Sequence, residues 1–199
     1  MIIPRNLLVE KKSHFFEVKK DEYIFLEDEP ALFYFQVMSG TVKMSSYSEN
    51  GQEFIQGIFK AGQSFGEPPL FGDFSYPNNA VATENSEICR LTKDAFFELL
   101  KDNFDIQWKF NTLLSNRIRY KTILLKEISS YCPDHVIMTL LKYLRDNSNE
   151  KDKSQFYVPF TRQQLADMTG LRVETVIRTV KKLQKDGKLE IKQHKIYLN

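Results

Sequence analysis

Apolar and polar positions change rhythm twice along the chain. Through the first ninety residues the apolar ones come in short runs. YIFLE (Tyr23–Glu27), LFYFQVM (Leu32–Met38), TVKMSSY (Thr41–Tyr47), EFIQGIF (Glu53–Phe59), NAVAT (Asn79–Thr83) and EICRL (Glu87–Leu91) are rich in aromatic and β-branched residues. Turn formers separate them: Ser39-Gly40, Asn50-Gly51, Ala61-Gly62 and Tyr76-Pro77-Asn78-Asn79. Short strands at regular spacing predict an antiparallel sandwich or barrel. Asn50-Gly51 marks a hairpin, because both residues tolerate positive φ.

From Thr92 to about Ser130 Gly and Pro are absent, and the apolar period becomes helical. Phe96, Phe97, Leu99 and Leu100 define a short helix, and Asn103 a break. Ile106, Phe110, Leu113, Leu114, Ile118, Leu124, Leu125 and Ile128 define a long helix of about 25 residues, near 38 Å at 1.5 Å per residue. Its apolar residues cover more than one stripe. The helix is therefore expected to face both the β domain and a second copy of itself, the alternative being an ordinary surface helix. Cys132-Pro133 ends it and starts another, since Pro fits a first helical turn. That helix carries Val136, Leu140, Leu141 and Leu144 on one side and leads into a polar loop, SNEKDKSQ. The implied boundaries are 1–101, 102–131 and 132–199.

The third rhythm is a helix pair, TRQQLADMTGLRVETVIRTVKKL (Thr161–Leu183). Thr161 stands three before Gln164, a capping box, with Phe160 and Leu165 placed as a hydrophobic staple. Leu165 and the small Ala166 let another helix cross closely. Gly170 closes the first helix in the left-handed conformation. The second runs from about Arg172 to Lys185. Val176, Val180 and Leu183 share its inner side, and Glu174, Arg178 and Lys181 the outer one. KLEIKQHKIYL then alternates as a small hairpin around His194. This pattern is a helix-turn-helix with a wing. Arg178 offers two parallel donors to guanine, Glu174 an acceptor for a cytosine amino group, and their spacing of four lets one orient the other.

Charge supports that reading. Residues 1–130 hold 15 basic and 18 acidic side chains, a net −3, while residues 131–199 hold 13 and 8, a net +5. A polyanionic partner is expected at the back of the chain. In 199 residues no apolar run approaches a membrane span, and the start lacks the pattern of a signal peptide, so a cytoplasmic protein is expected. Cys89 and Cys132 have no close partner, which leaves no disulfide framework and no four-ligand zinc site.

With these motifs in place, nearly the whole chain resembles the cyclic AMP receptor protein/FNR superfamily of bacterial transcription regulators. The likeness rests on the β region with FGE (Phe65–Glu67), the long helix and TRQQLADMTGLRVETVIR. It implies an α+β fold: an N-terminal antiparallel β-roll (a double-stranded β-helix of the cyclic-nucleotide-binding type), a long dimerisation helix and a C-terminal winged helix-turn-helix. It implies base contacts from Arg172, Val173, Glu174, Ile177 and Arg178, and phosphate contacts from Thr161, Arg162, Gln163, Thr175, Lys181 and Lys182. VETVIR is closer to the FNR-like VETISR than to RETVGR of the receptor type. The implied partners are a near-palindromic DNA duplex, a second copy of the chain and RNA polymerase, with no membrane.

In nucleotide-binding members an Arg about a dozen residues after FGE pairs with the cyclic phosphate. Here the matching position is Asn78, or Pro77, and no Lys, Arg or His lies between Phe65 and Glu84. Pro68 and Pro69 also remove two backbone donors. A phosphodiester keeps its charge near neutrality and is costly to bury unpaired, so cyclic nucleotide is disfavoured and no cofactor is assigned. Any effector pocket would involve Phe65, Gly66, Glu67, Phe71, Asn78 and Asn79. Phe65, Phe71, Phe74 and Tyr76 could line an apolar pocket or equally be core. FNR uses a cysteine cluster near its N-terminus for an iron–sulfur centre, whereas the first cysteine here is Cys89. His14, His135 and His194 are scattered, which argues against haem and against a metal. The rival classes are a cyclic-nucleotide-responsive regulator, a module binding another protein and, least supported, a cupin-like enzyme.

Overall fold

The computed structural model describes residues 1–129, 132–148 and 156–198. They form two compact units, Met1–Leu114 and Ser115–Asn199, divided within the long helix. The element order is α1 (Arg5–Glu10), β1 (His14–Val18), β2 (Tyr23–Phe25), β3 (Phe33–Ser39), β4 (Thr41–Tyr47), β5 (Glu53–Lys60), β6 (Ser64–Phe65), α2 (Pro68–Gly72), β7 (Asn79–Ala82), β8 (Ser86–Thr92), α3 (Lys93–Asp102), α4 (Phe104–Ser129), α5 (Pro133–Asp146), β9 (Phe156–Val158), α6 (Arg162–Thr169), α7 (Val173–Lys185), β10 (Leu189–Lys192) and β11 (Lys195–Leu198). All six predicted strands form. α1, β1, β6, α2 and β9 were not foreseen. The polar loop and the residues between α4 and α5 fall largely outside the described residues.

The first unit is a roll of two four-stranded antiparallel sheets, ordered β1-β8-β3-β6 and β2-β7-β4-β5. Strand side chains alternate between faces, and β3 shows the result. Phe35 and Val37 point between the sheets, where they join Phe25, Val42, Met44, Phe65, Tyr76 and Ile88. Tyr34 points the other way, into a second cluster with Ile3, Leu8, Cys89, Phe96, Leu99 and Phe110. That cluster seats α1, α3 and the start of α4 on the back of the first sheet.

Gln36 is a polar residue inside this second layer, fully buried and well bonded. Its Oε1 accepts from the Ile3 amide at 3.0 Å and from the Tyr34 hydroxyl at 2.8 Å, and its Nε2 donates to the Ile3 carbonyl at 3.0 Å. One side-chain amide thus pairs with the N-terminal segment much as a strand would, and satisfies backbone groups that burial would otherwise orphan.

In the second unit α5 packs on α6 and α7, and β9 joins the wing hairpin in a three-stranded sheet ordered β10-β11-β9. Leu189, Ile196, Leu198, Phe156 and Val158 are buried. Tyr120 of α4 and Tyr143 of α5 stack with ring centroids 3.6 Å apart, and burial pushes both phenols up.

Gln36→Leu keeps the shape but strands three polar groups, and is expected to cost about 2–4 kcal/mol in denaturant unfolding. Burial pushes the Tyr76 hydroxyl up to about 12. The folded state therefore keeps a proton that the unfolded chain loses near pH 10, and stability falls as pH rises from about 10 to 12. Tyr76→Phe is expected to remove that part of the alkaline loss, read by comparing both chains' unfolding curves across the range.

Candidate nucleic-acid interface

The helix pair starts as its sequence dictates. Thr161 is extended, its Oγ1 accepts from the Gln164 amide at 3.1 Å, and the Gln164 side chain accepts from the Thr161 amide at 2.9 Å. α6 ends at Gly170 with φ +70°, a conformation that L side chains rarely adopt. α7 follows with Arg172 as its N-cap residue. Its Val176, Val180 and Leu183 are buried.

The opposite side of α7 is open. Glu174, Ile177, Arg178 and Lys181 are exposed, Val173 and Thr175 are half-buried, and Arg172 is exposed at the helix start. Among the described residues Glu174 and Arg178 make no side-chain hydrogen bond or ion pair, to each other or elsewhere. The outward row therefore has unused donors and acceptors on a helix narrow enough for a major groove.

Three of the other candidate side chains are engaged within the chain. Arg162 donates to the main-chain carbonyl of His194 at the tip of the wing, and partial burial draws its guanidinium down. Gln163 donates to the buried Asp167 carboxylate at 2.8 Å. Lys182 donates to Asp134 of α5, which holds the ammonium above its ordinary range. The partners of Arg162 and Lys182 come from tertiary packing, whereas Gln163 and Asp167 are neighbours by their spacing of four on α6. The wing adds Lys195, which the sequence did not single out, beside Lys192, which it offered as a phosphate contact. Lys192 lies over the Tyr197 ring at 5.8 Å and Lys195 over the Tyr157 ring at 5.4 Å.

In the roll, the residues after FGE disperse. Phe65 and Tyr76 are core, Phe71 and Phe74 are exposed, and Asn78 is buried. Phe25 stacks on Tyr76 at 3.7 Å and lies 5.4 Å from Phe35, which stacks on Phe65 at 5.4 Å. Gly66 has φ +74°, and a Cβ there would come within 3.2 Å of the Phe25 ring. Glu67 is buried and accepts from the Ser64 hydroxyl at 2.7 Å. Asn79 accepts from the Glu27 amide at 3.0 Å. Nearby cations are already occupied: Lys43 pairs with Glu53, Lys93 with Asp73, and Arg90 lies over Phe16 and Phe33. Among the described residues, one concavity lies beside β10 and another between α1 and α3. Among the described residues no cluster of His, Cys, Asp and Glu could hold a metal, and no helix is long and apolar enough to cross a membrane.

Two family models match the chain: the cyclic nucleotide-binding domain over residues 15–103 and the Crp-like helix-turn-helix domain over residues 135–199. The transcriptional activator protein anr of Pseudomonas aeruginosa is 25% identical over an alignment covering 100% of this chain and 84% of that protein. The structure of FixK2 from Bradyrhizobium japonicum superposes with a TM-score of 0.75 at 22% identity, covering 94% of this chain and 92% of that one. A CooA mutant from Carboxydothermus hydrogenoformans gives 0.78 at 16% identity, covering 96% and 84%. The solved structures share the fold.

Thr161→Ala removes the oxygen that caps α6 and is expected to cost about 1 kcal/mol in thermal or denaturant unfolding of the chain. Thr161→Ser, which keeps the oxygen, is expected to lose little.

Proposed function

Because the chain belongs to the cyclic AMP receptor protein/FNR superfamily of DNA-binding transcription regulators, and so is no enzyme, we propose that two copies pair along α4 and read a near-palindromic duplex with α7. The observation that carries this reading is the outward row of α7, where Glu174 and Arg178 stand exposed and unengaged above a buried apolar side. Arg178 then donates to guanine O6 and N7, and Glu174 accepts from a cytosine amino group. Arg172, Val173 and Ile177 meet the flanking bases. Thr161, Thr175 and Lys181 lie at the phosphates, with Arg162 and Gln163 beside them, while Lys182 is held by Asp134.

Pairing is supported by an apolar stripe along one side of α4. Phe104, Trp108, Ile118 and Leu125 are 69%, 61%, 66% and 67% exposed, while Ile106, Phe110 and Leu124 on the other side are buried. A two-fold dimer sets its recognition helices about 34 Å apart, one turn of DNA.

The roll takes no cyclic nucleotide in this reading. Its interior holds Phe25, Phe35, Phe65 and Tyr76, and the cassette has Asn78, or Pro77, where a phosphate-binding Arg would stand. The group does not fit the residues present. The roll serves instead to sense another effector or as a contact for RNA polymerase.

Arg178→Ala, tested on duplexes selected from random sequence, is expected to lose about 1–3 kcal/mol of discrimination at one base pair per half-site while nonspecific binding survives. Sequence preference that persists unchanged would remove Arg178 from the reading role. Affinity of the wild type is expected to fall steeply with salt through counterion release, as a purely apolar protein partner would not require. Calorimetry with cyclic AMP or cyclic GMP is expected to show no saturable heat below about 100 µM.

A further inference from the structure

The sequence offers Lys181, Lys182 and Lys185 in the last turns of α7. Lys181 and Lys185 have no acidic partner among the described residues. Lys182 differs. Its ammonium is bound by the carboxylate of Asp134, in the first turn of α5, across one of the helix contacts of the second unit. The Asp134 side chain is only 17% exposed and that of Lys182 62%.

We infer that Asp134 sets the DNA affinity of this chain by withholding Lys182 from the phosphate backbone, so that each subunit meets the duplex with one cation fewer than its sequence offers. The inference rests on the reading of α7 as the DNA-facing helix. Two physical arguments favour the pair persisting on DNA. Negative charge in the first turn of α5 is favoured by the helix N-terminus. Were Lys182 to swing away, Asp134 would lose its counterion and keep only the limited water contact its packing allows, which disfavours the exchange. A phosphate approaching Lys182 would also meet the like charge of Asp134. Asp134 makes no base contact in this arrangement, so its effect is on affinity and not on sequence preference.

The test uses the full chain and one selected duplex. Affinity is measured across a salt series for the wild type, Asp134→Asn, Lys182→Gln and the double variant. Asp134→Asn is expected to tighten binding and steepen the slope of log K against log salt by about one per subunit. Lys182→Gln alone is expected to leave the slope at the wild-type value, and the double variant to return to it. A slope flattened by about one per subunit in Lys182→Gln would mean that the lysine already contacts phosphate, and would overturn the inference. So would an unchanged slope in Asp134→Asn. The Lys182→Gln arm does not alter α5 and stands even if the other variant folds poorly. If the wild type binds no duplex, the DNA-binding reading fails first and this inference with it.

Discussion

A helix can present an edge for reading only if its other side is fixed. In α7 that fixing is the burial of Val176, Val180 and Leu183, against a second unit whose core includes α5 and α6. Each such side chain contributes roughly 1.5–3 kcal/mol when taken from water. The 3.6-residue period then leaves no freedom about where Glu174, Arg178 and Lys181 point. The cap at Thr161 and the turn at Gly170 matter because they determine how that buried side enters the core. The chemistry of the outer row follows from the packing of the inner one.

The roll applies the same physics to a different end. Its two sheets enclose aromatic rings, and Tyr76 donates to the Phe33 carbonyl at 3.2 Å so that its hydroxyl is not stranded. Offset and edge-on ring contacts add about 0.5–1.5 kcal/mol per pair beyond area burial. Glu67 is tied to Ser64 within the same chain. Around the roll Lys43, Lys93 and Arg90 lie against Glu53, Asp73 and the Phe rings.

Most of the architecture was legible because period and punctuation agreed. The strands at 41–47 and 53–60, the break at Asn103 and the capping box at Thr161 each had a local signal. The missed elements had none. β6 is two residues long and exists because Phe35 and Gln36 pair with Phe65 and Ser64. β9 follows the polar loop and pairs with β11, far along the chain. β1 reads as HFFEV, whose alternation is obscured by adjacent aromatics that pack on opposite faces of the sheet. Among the site residues, the outward row of α7 was readable from spacing. The engagement of Arg162 and Lys182 was not, because a side chain's partner across 32 or 48 residues is a property of packing.

The bond from Arg162 to the wing ends on a main-chain oxygen. Every amino acid supplies that atom, so the identity of residue 194 is open to change without loss of the tether. What the tip does restrict is backbone shape: Gln193 and His194 both lie in the left-handed region, with φ of +48° and +63°. Glycine or asparagine would sit there more comfortably, and a β-branched residue would not. Related chains can thus vary the chemistry displayed at the wing's end while the wing itself keeps its bearing on the helix pair.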